Sequence, residues 1–183
     1  MKIPFGLADY TIGIGENAIK FDGKTNFQAD GGEVTIEPIL VAGKVADFGD
    51  SDYDDLVNGY TGEVTIVGAE HSLKLMETAM AYADKVVSTG ATPTTVGLTD
   101  AKVGTSMRER GVQLRIHPRQ MGADTSLDIV LYKVASVGAY NRGYNNEQTN
   151  NELTFKMYPR DGAGASKGSN YFYVGSKDPN ATA

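Results

Sequence analysis

The feature that most limits how this chain can fold is where its charge lies. Residues 41–70 hold Asp47, Asp50, Asp52, Asp54, Asp55, Glu63 and Glu70 against the single Lys44, a net charge of −6. The whole chain also carries −6, so everything outside that stretch balances. Five of the aspartates fall within residues 47–55. Inside a core they would repel one another and lose hydration that apolar contacts cannot replace. Any fold must therefore leave this segment in water, against a cation or against another protein. The sequence on either side, residues 33–41 and 62–67, reads as strand, so an acidic arm at about residues 42–60 stands between two strands.

Strand signals dominate elsewhere too. Glu33-Val34-Thr35-Ile36 and Glu63-Val64-Thr65-Ile66 are the same tetrapeptide on either side of the arm, and they predict two strands with the same buried face. Residues 112–117 alternate Val112, Leu114 and Ile116 with Gln113, Arg115 and His117, which predicts a strand that puts the three apolar residues in the core. Residues 126–137 are long and apolar enough for a central strand. Leu153, Phe155 and Met157 alternate with polar residues, and residues 171–174 close the series. One segment reads as helix: Ser72 caps it, and Leu73, Met76, Met80 and Ala83 fall on one face. Residues 88–95, 141–151 and 161–170 read as loose. The tail from about residue 176 to 183 reads as polar and flexible.

The motifs that would carry chemistry do not survive a check of their context. Gly13-Ile14-Gly15-Glu16-Asn17-Ala18 spells a dinucleotide fingerprint, but a strand and the Asp22-Gly23 turn follow where a helix is needed. Asp50, Asp52 and Asp54 have the first spacings of a calcium loop, yet Asp55 and Thr61 stand where Gly and Glu belong. His71 and His117 have no second histidine at metal spacing. With no cysteine there are no disulfides and no thiol nucleophiles. The sequence therefore assigns no catalytic, cofactor-binding or metal-ligating residue, and the expectation is a protein that is not an enzyme. A sequence pI near 4.9 argues against broad binding to nucleic-acid phosphates. No apolar run is long enough for a membrane anchor, and the opening lacks the pattern of a signal peptide. These features predict a soluble protein made in a cytoplasm.

The order of these phrases resembles the major tail proteins, or tail tube proteins, of long-tailed bacteriophages. The opening MKIPFGLADYTIG and the turn FDGK come first, then GGEVTIEPI, an extended arm and GEVTIVGAE. The helix HSLKLMETAMAY, the strand GVQLRIHPR and the pair SLDIVLYKVAS and ELTFKMYPR follow. The resemblance spans most of the chain. It implies a single mainly β domain over residues 1–183, a β-sandwich or barrel-like fold with one flanking helix and extended arms. It implies homo-hexameric rings stacked into a tube, through whose lumen double-stranded DNA passes without tight binding. Other phage tail proteins would be further partners. The place of action would be the virion tail, with the host cytoplasm as the site of assembly. The loop between early strands usually joins one ring to the next. In this chain that role falls to the arm, with Asp47, Phe48, Asp50, Asp52, Tyr53, Asp54, Asp55 and Leu56 as its contact residues. An acidic arm needs cations on its neighbour, and Arg108, Arg110, Arg119 and Arg142 are the candidates because they lie in or near loops.

Two other readings compete. A secretion-tube-like ring protein would share the architecture. A ligand-binding, carbohydrate-type β-sandwich could use some of the ten tyrosines as a platform, although they are scattered and there is no tryptophan.

Overall fold

The computed structural model describes residues 6–144 and 146–181. Residues 1–5 of the opening phrase, Asn145 in the loose 141–151 segment and residues 182–183 of the tail lie outside them. The chain runs β1 (Ala8–Ile12), β2 (Ile19–Phe21), β3 (Glu33–Lys44), β4 (Asp52–Gly68), α1 (Leu73–Ala79), β5 (Ala83–Val87), β6 (Thr95–Asp100), β7 (Val112–Pro118), β8 (Ile129–Ser136), β9 (Asn151–Met157) and β10 (Phe172–Val174). The fold is mainly β with one α-helix, as the strand pattern predicts. Eight strands form an antiparallel sheet in the order β2-β1-β7-β8-β9-β4-β3, with β10 added to β8, while β5 and β6 make a separate hairpin.

β8 is the central strand expected from its apolar run, and its neighbour changes along its length. Its last residues, Val134 to Ser136, pair with β9, and its first, Ile129 to Leu131, pair with β10. The sheet also curls on itself. Residues 27–29 leave β2 and join β4, with Ala29 N–H donating to the Val67 carbonyl at 2.8 Å and Ala69 N–H to that of Phe27 at 3.0 Å. The Gln28 amide donates to the Ala8 carbonyl at 2.8 Å and to that of Phe21 at 3.1 Å, which ties the first two strands over β4. Gly32 lets the chain pass here, because a Cβ at that position would collide with the Tyr10 hydroxyl and the Thr65 carbonyl. The curl closes around Tyr10, Phe21, Val64, Ile66, Leu114, Leu131, Val134, Leu153 and Phe155, all buried.

Two expectations need correction. Leu114 and Ile116 are in the core, but Val112 is 41% exposed. Val112 pairs with Val134 while Leu114 pairs with Leu131, so two residues of β8 oppose Gln113 alone, and this bulge turns Val112 off the buried face. The helix is capped by Ser72, whose hydroxyl accepts from Leu75 N–H at 3.2 Å, but it ends at Ala79. Its buried residues are Leu75 and Ala79 rather than the Leu73, Met76, Met80 and Ala83 stripe. That stripe needs three turns of helix; Met80 departs at φ −107° and ψ 53°, and Ala83 already lies in β5. The Ser136 hydroxyl fixes the short helix by donating to the Ala79 carbonyl at 2.7 Å. Two residues of the tail make contacts with the body. The Tyr132 hydroxyl donates to Asp178 Oδ1 at 2.6 Å, and Asn180 Nδ2 donates to the Tyr132 oxygen at 2.7 Å and to the Ser169 carbonyl at 2.9 Å. Burial, and then the Asp178 carboxylate, push the Tyr132 phenol up to about 12.

Candidate assembly interface

The acidic arm is a β-hairpin. The sequence places strand ends at Val41 and Gly62, but pairing continues from Glu33↔Thr65 to Lys44↔Asp52, so only residues 45–51 connect the strands. Val41, Tyr53, Val57, Tyr60 and Thr61 are strand formers, and they carry the ladder through the aspartates. A bulge lies between Ile39 and Leu40, and another between Gly43 and Lys44. The connection makes a 3-10 turn at Ala46–Phe48, and Gly49 leaves it at φ 69°, which glycine adopts without steric cost. Phe48 and Tyr53 face each other across the tip with ring centroids 5.2 Å apart.

What the arm lacks is cover. Directly paired residues lie on the same face of a hairpin, and successive residues lie on opposite faces. Leu40 pairs with Val57 on one face, and Val41 pairs with Leu56 on the other. All four are exposed, as are Ile39 and Val45, with Phe48 at 59% and Tyr53 at 63%. Toward the tip the pairs become Ala42 with Asp55 and Gly43 with Asp54. The hairpin is therefore apolar on both faces in its middle, acidic beyond that, and aromatic at its end.

The sheet from which it grows has a different surface. Glu33, Thr35 and Glu37 of β3 pair with Thr65, Glu63 and Thr61 of β4, and Glu63 and Thr65 pair with Lys156 and Thr154 of β9. Glu152, opposite Val67, continues the row. The result is an outward face of threonines with four carboxylates and one lysine. Its signal in the sequence was the repeated tetrapeptide, whose polar letters, Glu and Thr, both point outward.

The four candidate arginines do not form a site together. Arg108 donates to the Pro159 and Arg160 carbonyls at 3.1 and 2.9 Å and to Asp161 at 3.1 Å. Arg110 binds Asp84 and the carbonyls of Ala81 and Ala83. Arg119 donates to Asp9 at 2.5 Å. Arg142 sits over the Tyr144 ring, 5.1 Å from its centroid. Three of the four are thus committed to carboxylates of their own chain. Lys133, nearly buried, donates to Asp161 at 2.6 Å and, with Arg108, holds that carboxyl below its usual range.

One cluster escaped the sequence reading because its members are distant along the chain. Asp128 is 1% exposed and accepts from Arg115 Nε at 2.7 Å, while His117 Nδ1 lies 2.5 Å from its other oxygen. His117 Nε2 faces the Gly122 carbonyl at 2.8 Å. A histidine beside a buried carboxylate resembles a catalytic pair, but here both ring nitrogens are already engaged, so the ring offers no lone nitrogen to a substrate. The cluster joins β7 to the chain entering β8. It engages Arg115 and His117 of the polar face of residues 112–117, although Arg115 stays exposed. Among the described residues no helix is long and apolar enough to cross a membrane.

No protein-family model matches the chain, and a search of curated proteins finds no match.

Proposed function

We propose that this protein is a structural subunit that assembles with copies of itself into stacked rings, forming a tube of the kind that long-tailed phages use as a genome conduit. The observation that carries this reading is the arm. A hairpin that exposes Leu40 and Val57 on one face and Val41 and Leu56 on the other has no covered side within its own chain. Two strands alone are marginal in water, and exposed apolar surface at this density marks an interaction site. In this reading the arm reaches a neighbouring subunit, and its apolar residues bury there while its aspartates stay at the wet rim.

Two further features suit the same role. β3 ends the sheet order, so among the described residues no strand pairs with its outer edge, and closing a ring would cover such an edge. The outward Thr and Glu face of β3, β4 and β9 would line a lumen that repels phosphates and lets a duplex pass. The protein then acts in the virion tail, with other tail proteins at the tube ends, and it needs no cofactor and performs no catalysis.

Electron microscopy of purified protein over a concentration series tests this reading. Rings or tubes are the expected result, and a protein that stays monomeric at every concentration removes it. Filter binding with duplex DNA at physiological salt should show no retention. Submicromolar, salt-sensitive binding would point instead to a DNA-gripping protein.

A further inference from the structure

A cavity of about 1110 Å3 opens between α1, the end of β1, the start of β2 and the hairpin of β5 and β6. At its mouth stand Ile14, Leu73 and Val112, with Ile14 77% exposed. Leu73 and Val112 are the residues that periodicity assigns to the core and that the short helix and the β7 bulge leave outside. Val134 and Phe155, both core residues, reach its lining. The cavity is therefore an open cleft whose floor reaches the core and whose wall carries the Lys85–Glu77 and Arg110–Asp84 pairs.

The arm and this cavity lie at opposite ends of the sheet. β4 and β8 run in the same direction, because each is antiparallel to β9. The arm leaves at the end where β4 and β8 begin and β7 finishes. The cavity lies where β8 and β1 finish and β7 and β2 begin. One chain thus carries an uncovered apolar projection at one end and, at the other, a recess that exposes Ile14, Leu73 and Val112 beside charged residues. Joined head to tail, such a pair links copies into rings or open filaments. On the cavity wall Lys85 pairs with Glu77 and Arg110 with Asp84, so these charges balance; Lys74 is a further cation of the lining, opposite in sign to the aspartates of the arm's tip.

We infer that the recess beside α1 receives the arm of a second copy of this chain, with Phe48 and its neighbours entering between Ile14, Leu73 and Val112. This rests on the self-assembly proposed above and names the receptor that assembly would use. The chain has no cysteine, so the contact can be read by engineered disulfides. In a chain carrying Phe48→Cys and Ile14→Cys, mild oxidation should give a ladder of linked subunits on a non-reducing gel. Its yield should be about tenfold above that of Phe48→Cys with Val103→Cys, which places the second thiol on an exposed residue away from the cavity lining. A yield no higher than that control overturns the inference, as does linking of Phe48→Cys alone into tip-to-tip dimers. Ile14→Asp gives a second reading, since the side chain is exposed and the substitution should leave the melting temperature unchanged. It should lower the assembled fraction about tenfold by setting a carboxylate against the aspartates. Normal assembly by Ile14→Asp removes this receptor while the tube reading stands. A wild-type chain that does not assemble, beside a double-cysteine chain that gives no ladder, removes both.

Discussion

β4 is one strand with two lives. From Gly62 to Gly68 it alternates, with Val64 and Ile66 fully buried and Glu63 turned outward; from Asp52 to Asn58 every residue is exposed. The backbone pairing with β3 continues through both halves. The difference lies in what covers the strand. The inner half packs under β1 and β2, whereas the outer half has run past the end of the sheet. Alternation is thus the mark of a strand with one face covered by its own chain. Its loss, where apolar residues persist on both faces, marks a strand whose cover must come from elsewhere.

The sharpest way to break this comparison is to truncate one apolar side chain in each half. Phe155, buried against the inner half of β4, should cost roughly 3–5 kcal/mol of subunit stability when changed to alanine, measured by urea unfolding. A small loss would mean that the body is not the stable half. Next, Leu114→Ala should cost about 2–5 kcal/mol, while Val112→Ala, two residues away on the same strand, should cost less than about 1 kcal/mol. Equal costs would place Val112 back in the core and close the recess at its mouth.

The tail latch gives a pH test. The Tyr132 phenol is raised from 10.0 to about 12 in the folded protein. The unfolded chain loses that proton first, so stability should be unaffected below pH 10 and should fall as pH rises from 10 toward 12. Tyr132→Phe should flatten that fall, and an unchanged alkaline profile would mean that the Asp178 contact is not kept in solution. Smallest of all, Leu56→Ala on the arm should change subunit stability by no more than about 0.5 kcal/mol. Its effect should appear in assembly, read by sedimentation.

Much of the body was legible in the sequence because period-two alternation reports burial directly. The strands at residues 112–117 and 153–157, the central apolar strand, the capped helix start and the EVTI pair all fall where the pattern places them. The misses share one cause. Val112, the Leu73 to Ala83 stripe and the strand character of residues 52–61 each depend on a local event that alternation does not carry. These events are a bulge, a helix that stops after two turns, and a ladder that runs on through aspartates. The arm's charge marks where cover from its own chain is unfavourable. It could not tell that backbone pairing persisted beneath it. The arginines suggested as its partners could not be judged either, since Asp9, Asp84 and Asp161 meet them only through the fold.

The proposed tube requires the arm to be an assembly element rather than a solvated hairpin. The most direct test replaces residues 41–56 by Asn-Gly, a two-residue turn joining Leu40 to its paired Val57. Sedimentation velocity and electron microscopy then follow this variant beside the wild type over the same concentrations. The account predicts a variant with wild-type unfolding behaviour that no longer stacks, beside a wild type that forms tubes. Tubes of normal length from the shortened chain would contradict it.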